Sequence, residues 1–147
     1  MKKRYTVAEA NRTLPYVRSI VDEVQARYRV IQESGRRHNA TDPKEESRRA
    51  TLKEEVREAA DRIRACLDEL QALGLEMKDY EEGLVDFPAE FEGRPILLCW
   101  KHGEERIGFW HETDAGFEGR KPVPADADWP PVPAPAKGKS GKSPKLS

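Results

Sequence analysis

Apolar residues recur along the first half of this chain at steps of three and four, and they do so twice. Leu14, Val17, Val21, Val24, Tyr28 and Ile31 form one series; Leu52, Val56, Ala59, Ile63, Cys66, Leu70 and Leu73 form the other. Such spacing lines one face of an α-helix. The second series is the mirror image of the first. Folded back, the chain brings Leu14 to Leu70, Val17 to Cys66, Val21 to Ile63, Val24 to Ala59, Tyr28 to Val56 and Ile31 to Leu52. A seven-residue repeat keeps each stripe facing one partner, so the pattern predicts an antiparallel helical hairpin with a coiled-coil seam over residues 7–74. Ile20, Ala60 and Leu67 widen the seam on one side, enough for a sheet to dock.

Local signals set the expected boundaries. Thr6 with Glu9 is a capping box that opens a short helix at residue 7. Pro15 suits a first turn and not a helix interior, so Thr13 is expected to cap a second helix from Leu14 to about Ser34. Gly35 is expected to stop it, leaving residues 35–42 as a polar loop. Asp42-Pro43 with Glu45 then starts the next helix, which runs to Leu73 with Gly74 as C-cap. Its first two turns, with Lys44, Glu45, Glu46, Arg48 and Arg49, are charged and expected to project into solvent or fray.

After Gly74 the period changes to two. Leu75 and Met77 alternate with Glu76 and Lys78, and Leu84-Val85-Asp86-Phe87 follows, ended by Pro88. Residues 95–100 and 105–111 read as a β-hairpin. A two-residue turn at His102-Gly103 sets Ile96 against Phe109 and Leu98 against Ile107. The other face then carries Leu97, Cys99, Gly108 and Trp110. With both faces apolar, a small antiparallel sheet over 75–112 needs a second cover, and a second subunit is the simplest one. The fold class is therefore α+β in one domain, residues 1–121, with a loop at 113–121. Seven of the eleven prolines fall between residues 122 and 147, and the end of the chain is rich in Lys, Gly and Ser. Such a segment buries too little apolar surface to offset its ordering entropy, so 122–147 is expected to be a disordered tail.

Composition narrows the functional classes. A net charge of -1 gives the chain no basic surface for nucleic acid, apart from weak contact through the lysines of the tail. No apolar run approaches a membrane span, and Glu9, Asn11 and Arg12 interrupt any signal-peptide core. Two cysteines, Cys66 and Cys99, lie in apolar stretches of different elements, which favours free thiols and a reducing, cytoplasmic setting.

Candidate chemistry concentrates in the hairpin region, where Asp79, Glu81, Glu82, Asp86, His102, Glu104, His111, Glu112 and Asp114 accompany Trp100 and Trp110. His111 and Glu112 are consecutive on a strand, so they point to opposite faces and do not chelate one ion. Cys99, among apolar neighbours, lacks the setting of a nucleophile. Asp86 lies between Val85 and Phe87, so its carboxylate is on a wet face or paired, with Arg94, Arg106, Arg120 or His111 as partners. Gly116 and Gly119 lack the strand-then-helix context of a phosphate loop, and Arg120 reads as closing that loop onto a carboxylate. The candidate ligand-binding set is Asp86, Trp100, Glu104, Trp110, His111, Glu112 and Arg120; no metal site and no cofactor are assigned.

Gly83-Leu-Val-Asp-Phe-Pro88, Leu98-Cys-Trp100, Phe109-Trp-His111 and Gly116-Phe-Glu-Gly-Arg120, with Tyr5-Thr-Val-Ala-Glu-Ala-Asn11 and Leu14-Pro15, resemble a small prokaryotic family, domain of unknown function 2203, over about residues 4–123. The resemblance implies a cytoplasmic bacterial protein in which Asp86, Trp100, His111 and Arg120 form a common surface or core; it implies no reaction. Two functional expectations stand. The first is a non-enzymatic, self-associating homodimer built on the helical hairpin. The second is a small-molecule or divalent-metal-binding protein or enzyme that uses the Asp/Glu/His cluster on the sheet.

Overall fold

The computed structural model describes residues 4–124 and 129–131. Two helices, α1 (Val7–Ala40) and α2 (Glu46–Ala72), are followed by strands β1 (Glu76–Asp79), β2 (Leu84–Phe91), β3 (Arg94–Lys101), β4 (Phe109–Glu112) and β5 (Lys121–Pro122). The strands form one antiparallel sheet in the order β1-β2-β3-β4-β5. The fold is α+β, an antiparallel helical hairpin packed on a sheet, as the periodicity predicts.

Helix α1 opens on the expected capping box: Thr6 Oγ1 accepts from Glu9 N–H, and the Glu9 carboxylate accepts from Thr6 N–H. It differs from expectation in being one helix, continuous through Pro15 and Gly35 to Ala40. Val7 and Ala10 extend the same stripe as Leu14 and Val17, so burial of one face overrides the local break. Pro15 is on the exposed side, where water can serve the carbonyl its ring leaves unpaired. Thr13 is not a cap; its hydroxyl donates to Glu9 O. The helix ends instead ahead of Asp42-Pro43, since the residue before proline avoids helical angles. There Arg49 Nη1 on α2 donates to the carbonyls of His38 and Thr41. The early turns of α2 are exposed yet helical. Its end matches expectation: Gly74, at φ 78°, lets Gly74 N–H reach Gln71 O and Leu75 N–H reach Leu70 O.

The helices align close to the expected register. Arg62 donates to Glu23 across the seam, and Tyr16 reaches Glu69. Val17, Val21 and Val24 are fully buried, and Ile63, Cys66 and Leu70 join them in one core with Val85, Phe87, Ile96, Leu98 and Trp100 from the sheet.

The β3–β4 hairpin departs from expectation. Ile96 faces Glu112, Leu98 faces Trp110 and Cys99 faces Phe109, so the register lies three positions from the predicted one. The connection is residues 102–108, not a two-residue turn, because side chains hold it open. Asn11 Oδ1 accepts from Ile107 N–H, Arg18 donates to Glu105 O, and Trp100 Nε1 donates to Glu104 O. Ile107, expected in a strand, plugs the core from this loop at 1% exposure. An odd shift exchanges faces. Trp110 therefore joins Leu98 on the helix side, packed on Phe91 and Trp129, while Phe109 joins Cys99 on the other. Described residues beyond 121 also pack on the fold. Pro122 pairs with Phe109, and Trp129 is buried with its carbonyl on Val7 N–H. The rest of the expected tail, 125–128 and 132–147, lies outside the described residues.

Gly83, at φ 73°, sits where three segments meet; a Cβ there lies 2.6 Å from His102 Cβ and 2.9 Å from Gln25 Nε2. Gly83→Ala is expected to cost about 2 kcal/mol from the backbone angle and the close approach together. Gly35 has open space around it, so Gly35→Ala is expected to stabilise by roughly 0.5–1 kcal/mol. Thermal melts of the two variants must move in opposite directions; equal shifts contradict both assignments.

Candidate functional site

The sheet face turned away from the helices carries polar groups among Leu97, Pro88 and Phe109. Register places Asp86 on β2 opposite Cys99 on β3, and His111 on β4 opposite Leu97. Alternation along each strand then points Asp86, Cys99 and His111 the same way. All three are buried, at 3%, 1% and 2% exposure. A carboxylate oxygen, the thiol sulfur and an imidazole nitrogen lie within 4.8 Å of one another.

The hydrogen bonding of His111 fixes its chemistry. Nδ1 is 2.7 Å from Glu112 O, and a carbonyl only accepts, so Nδ1 carries the proton. The other ring nitrogen, Nε2, is the one that faces the carboxylate oxygen, Asp86 Oδ1, at 3.3 Å. Two acceptors in that position require a proton or a metal cation between them. Burial pushes the Asp86 carboxyl above its ordinary range, while His111, Lys78 and Cys99 pull it down. The Cys99 thiol is pushed up to about 11 by burial, then by Asp86, with Arg120 opposing. Both groups thus retain protons more readily than in water, and a cation at the cluster must displace them.

The chain covers this face itself. The segment between β4 and β5 returns across it, and the Arg120 guanidinium stacks 4.0 Å from the Phe109 ring centre and 4.6 Å from that of Phe117. Arg120 Nη2 donates to Cys99 O at 3.1 Å and to Glu104 Oε1 at 2.8 Å. Glu104 is thus the carboxylate that Arg120 closes onto, and it also accepts from Lys101 N–H. A cavity of about 1060 Å³ reaches the cluster at Asp86, its walls including Pro88, Leu97, Leu75, Met77 and Thr113.

Of the seven residues singled out in the sequence, Asp86 and His111 come together and Arg120 lies beside them. Glu112 points to the opposite face and is held by Arg94 in a two-pronged pair at 3.0 and 2.8 Å; those bonds hold its carboxyl below the ordinary range. Trp100 and Trp110 belong to the helix-side core. Glu104 is occupied by Arg120 and backbone. Cys99 is the member that sequence reasoning set aside as an inert apolar thiol. The signal that reveals it is its parity with Asp86 and His111, which needs the correct strand register.

No curated protein and no solved structure matches this chain. The sequence pattern of a family described as an uncharacterised conserved protein (DUF2203) matches residues 3–123, and the chain belongs to that family.

Proposed function

We propose that this protein binds a divalent transition metal through Asp86, Cys99 and His111, with Zn²⁺ as the natural choice. The observation that carries the reading is the facing of His111 Nε2 and Asp86 Oδ1 at 3.3 Å with Cys99 alongside. Two ligand atoms bound at about 2.0–2.1 Å in a tetrahedral arrangement are separated by roughly 3.3 Å. A mixed N, O and S set suits a borderline-soft divalent ion. The carbonyl on His111 Nδ1 is the outer hydrogen bond that a metal-ligating histidine normally makes, aiming Nε2 at the ion. A carboxylate and a thiolate neutralise a divalent charge, and Arg120 with Glu104 adds no net charge beside them. A thiol ligand must stay reduced, and both cysteines are free, which supports a cytoplasmic setting. No helix among the described residues is long and apolar enough to cross a membrane.

Purified without an affinity tag, the protein is expected to bind one equivalent of Zn²⁺ in competition with a chromophoric chelator. Cys99→Ser and Asp86→Asn are each expected to weaken binding by about 10- to 100-fold or more. Asp86→Asn also separates metal binding from folding. The native carboxyl is raised, so its contribution to stability is full at low pH and declines as pH rises through the native value. In chelator at pH 8 the amide variant is therefore expected to melt no lower than wild type. Stoichiometric zinc that survives both substitutions, or none in wild type, removes the reading.

The pH dependence follows from the thiol. Well below about 11, Cys99 is protonated, and zinc must expel that proton. Apparent affinity is expected to rise about tenfold per pH unit between pH 6 and 8, with proton release measurable in weakly buffered solution. A flat profile contradicts thiolate ligation.

Self-association is a second reading, supported by the far end of the hairpin. Beyond Val24, Tyr28 and Ile31 on α1 are only partly covered and Val30 is 36% exposed. A second copy's hairpin laid alongside would cover them. Light scattering at micromolar concentration is expected to give twice the chain mass; a monomer contradicts this reading and leaves the metal centre untouched.

A further inference from the structure

Three protein ligands leave a tetrahedral ion one position short, and the cavity shows what can fill it. Strand β1 pairs with β2 only as far as the Glu76–Asp86 pair. Past Asp86 the edge of β2 has no neighbouring strand among the described residues; Tyr5 N–H donates to Pro88 O there. The cavity occupies that gap, from Asp86 across to the end of α2. Among the described residues, two other sides of the cluster are covered. Arg120 and Phe109 cover the Cys99 side, and the Glu112 carbonyl closes on His111. Within the cavity, Leu70, Leu75, Met77, Pro88, Ile96 and Leu97 form an apolar wall. Its charged lining residues besides Asp86 are Arg4 and Glu76, both exposed, and Glu76 is paired with Lys78.

We propose that the metal centre is an open one, whose free position is reached through this cavity by a ligand with an anionic oxygen head and an apolar tail, such as a medium-chain carboxylate. This rests on the metal-binding reading above. The head completes the coordination shell on the Asp86 side, and the tail lies along Leu97 and Pro88 on the same face, replacing water on apolar surface. A site with this shape separates long from short carboxylates by their tails alone, because the head is common to both.

The test uses the full chain loaded with Co²⁺, whose thiolate-to-metal absorption reports Cys99 ligation and whose visible bands report the fourth ligand. Titration with acetate and with octanoate is expected to change the visible bands in both cases while the thiolate absorption persists. Octanoate is expected to saturate at a concentration at least tenfold lower, since burial of two of its methylene groups is already worth about that factor. Gln71→Trp, which narrows the cavity from the end of α2 and neighbours none of the three ligands, is expected to abolish the preference for octanoate and leave the thiolate absorption intact. Visible bands that respond to neither carboxylate overturn the open site while the metal centre stands. Equal affinities overturn the apolar channel. Absence of the thiolate absorption in the wild-type protein overturns the metal centre itself, and the open site with it.

Discussion

The structure depends on one helix serving two partners with adjacent stripes. The apolar stripe of α1, from Val7 to Val24, is buried between α2 and the sheet. Beside it run Asn11, Arg18, Asp22 and Gln25, which a helix places along a neighbouring line. Each reaches the sheet's connections: Asn11 to Ile107 N–H, Arg18 to Glu105 O, Asp22 to His102 Nε2 at 2.6 Å, and Gln25 to the carbonyls of Tyr80 and Glu81. The first three hold the β3–β4 connection, and that connection sets the register of β4. With β4 displaced by a single residue, His111 would leave the face it shares with Asp86 and Cys99. The polar edge of α1 therefore positions the site without touching it.

Burying a carboxylate, a thiol and an imidazole together has an energetic consequence. An ionised group away from water is costly unless paired, and apolar residues of similar size would fill the same space at equal or better stability. The rest of the sheet follows that simpler course, with Val85, Phe87, Leu98 and Trp100 packed at 0% exposure on the opposite face. The outer face instead spends a stacked arginine, two phenylalanines and the return segment to cover three polar side chains. Stability alone gives no reason for that arrangement. In the reading proposed above, a cation that needs dry, preoriented ligands does.

Much of the fold was legible because it rests on periodicity. The seam from Leu14 to Ile31 and from Leu52 to Leu73, the capping box at Thr6 and the C-cap at Gly74 all follow from spacing and local hydrogen bonding. Where the sequence misled, tertiary contacts overrode a local rule. Pro15 reads as a helix start, yet the stripe continues through it because its ring faces solvent. His102-Gly103 reads as a tight turn, yet α1 and Trp100 hold a wider loop. The site was half legible for the same reason. Asp86 stands out as a carboxylate in an apolar strand, and His111 and Arg120 follow from their types. Cys99 was concealed, since a thiol among apolar neighbours looks like packing until register places it opposite Asp86.

The shortness of β1 links burial to access. A strand long enough to pair with all of β2 would seal Asp86 beneath continuous sheet and remove the cavity, giving a closed core. As it stands, pairing ends at Asp86 itself, so the residue belongs at once to the dry cluster and to the wall of an accessible space. The exposed edge that remains is the kind of strand edge that invites pairing with another chain. Tyr5 blunts it by donating to Pro88 O, and Pro88 offers no donor of its own. Tyr5 thus closes the edge against other strands and still leaves the cavity beside Asp86.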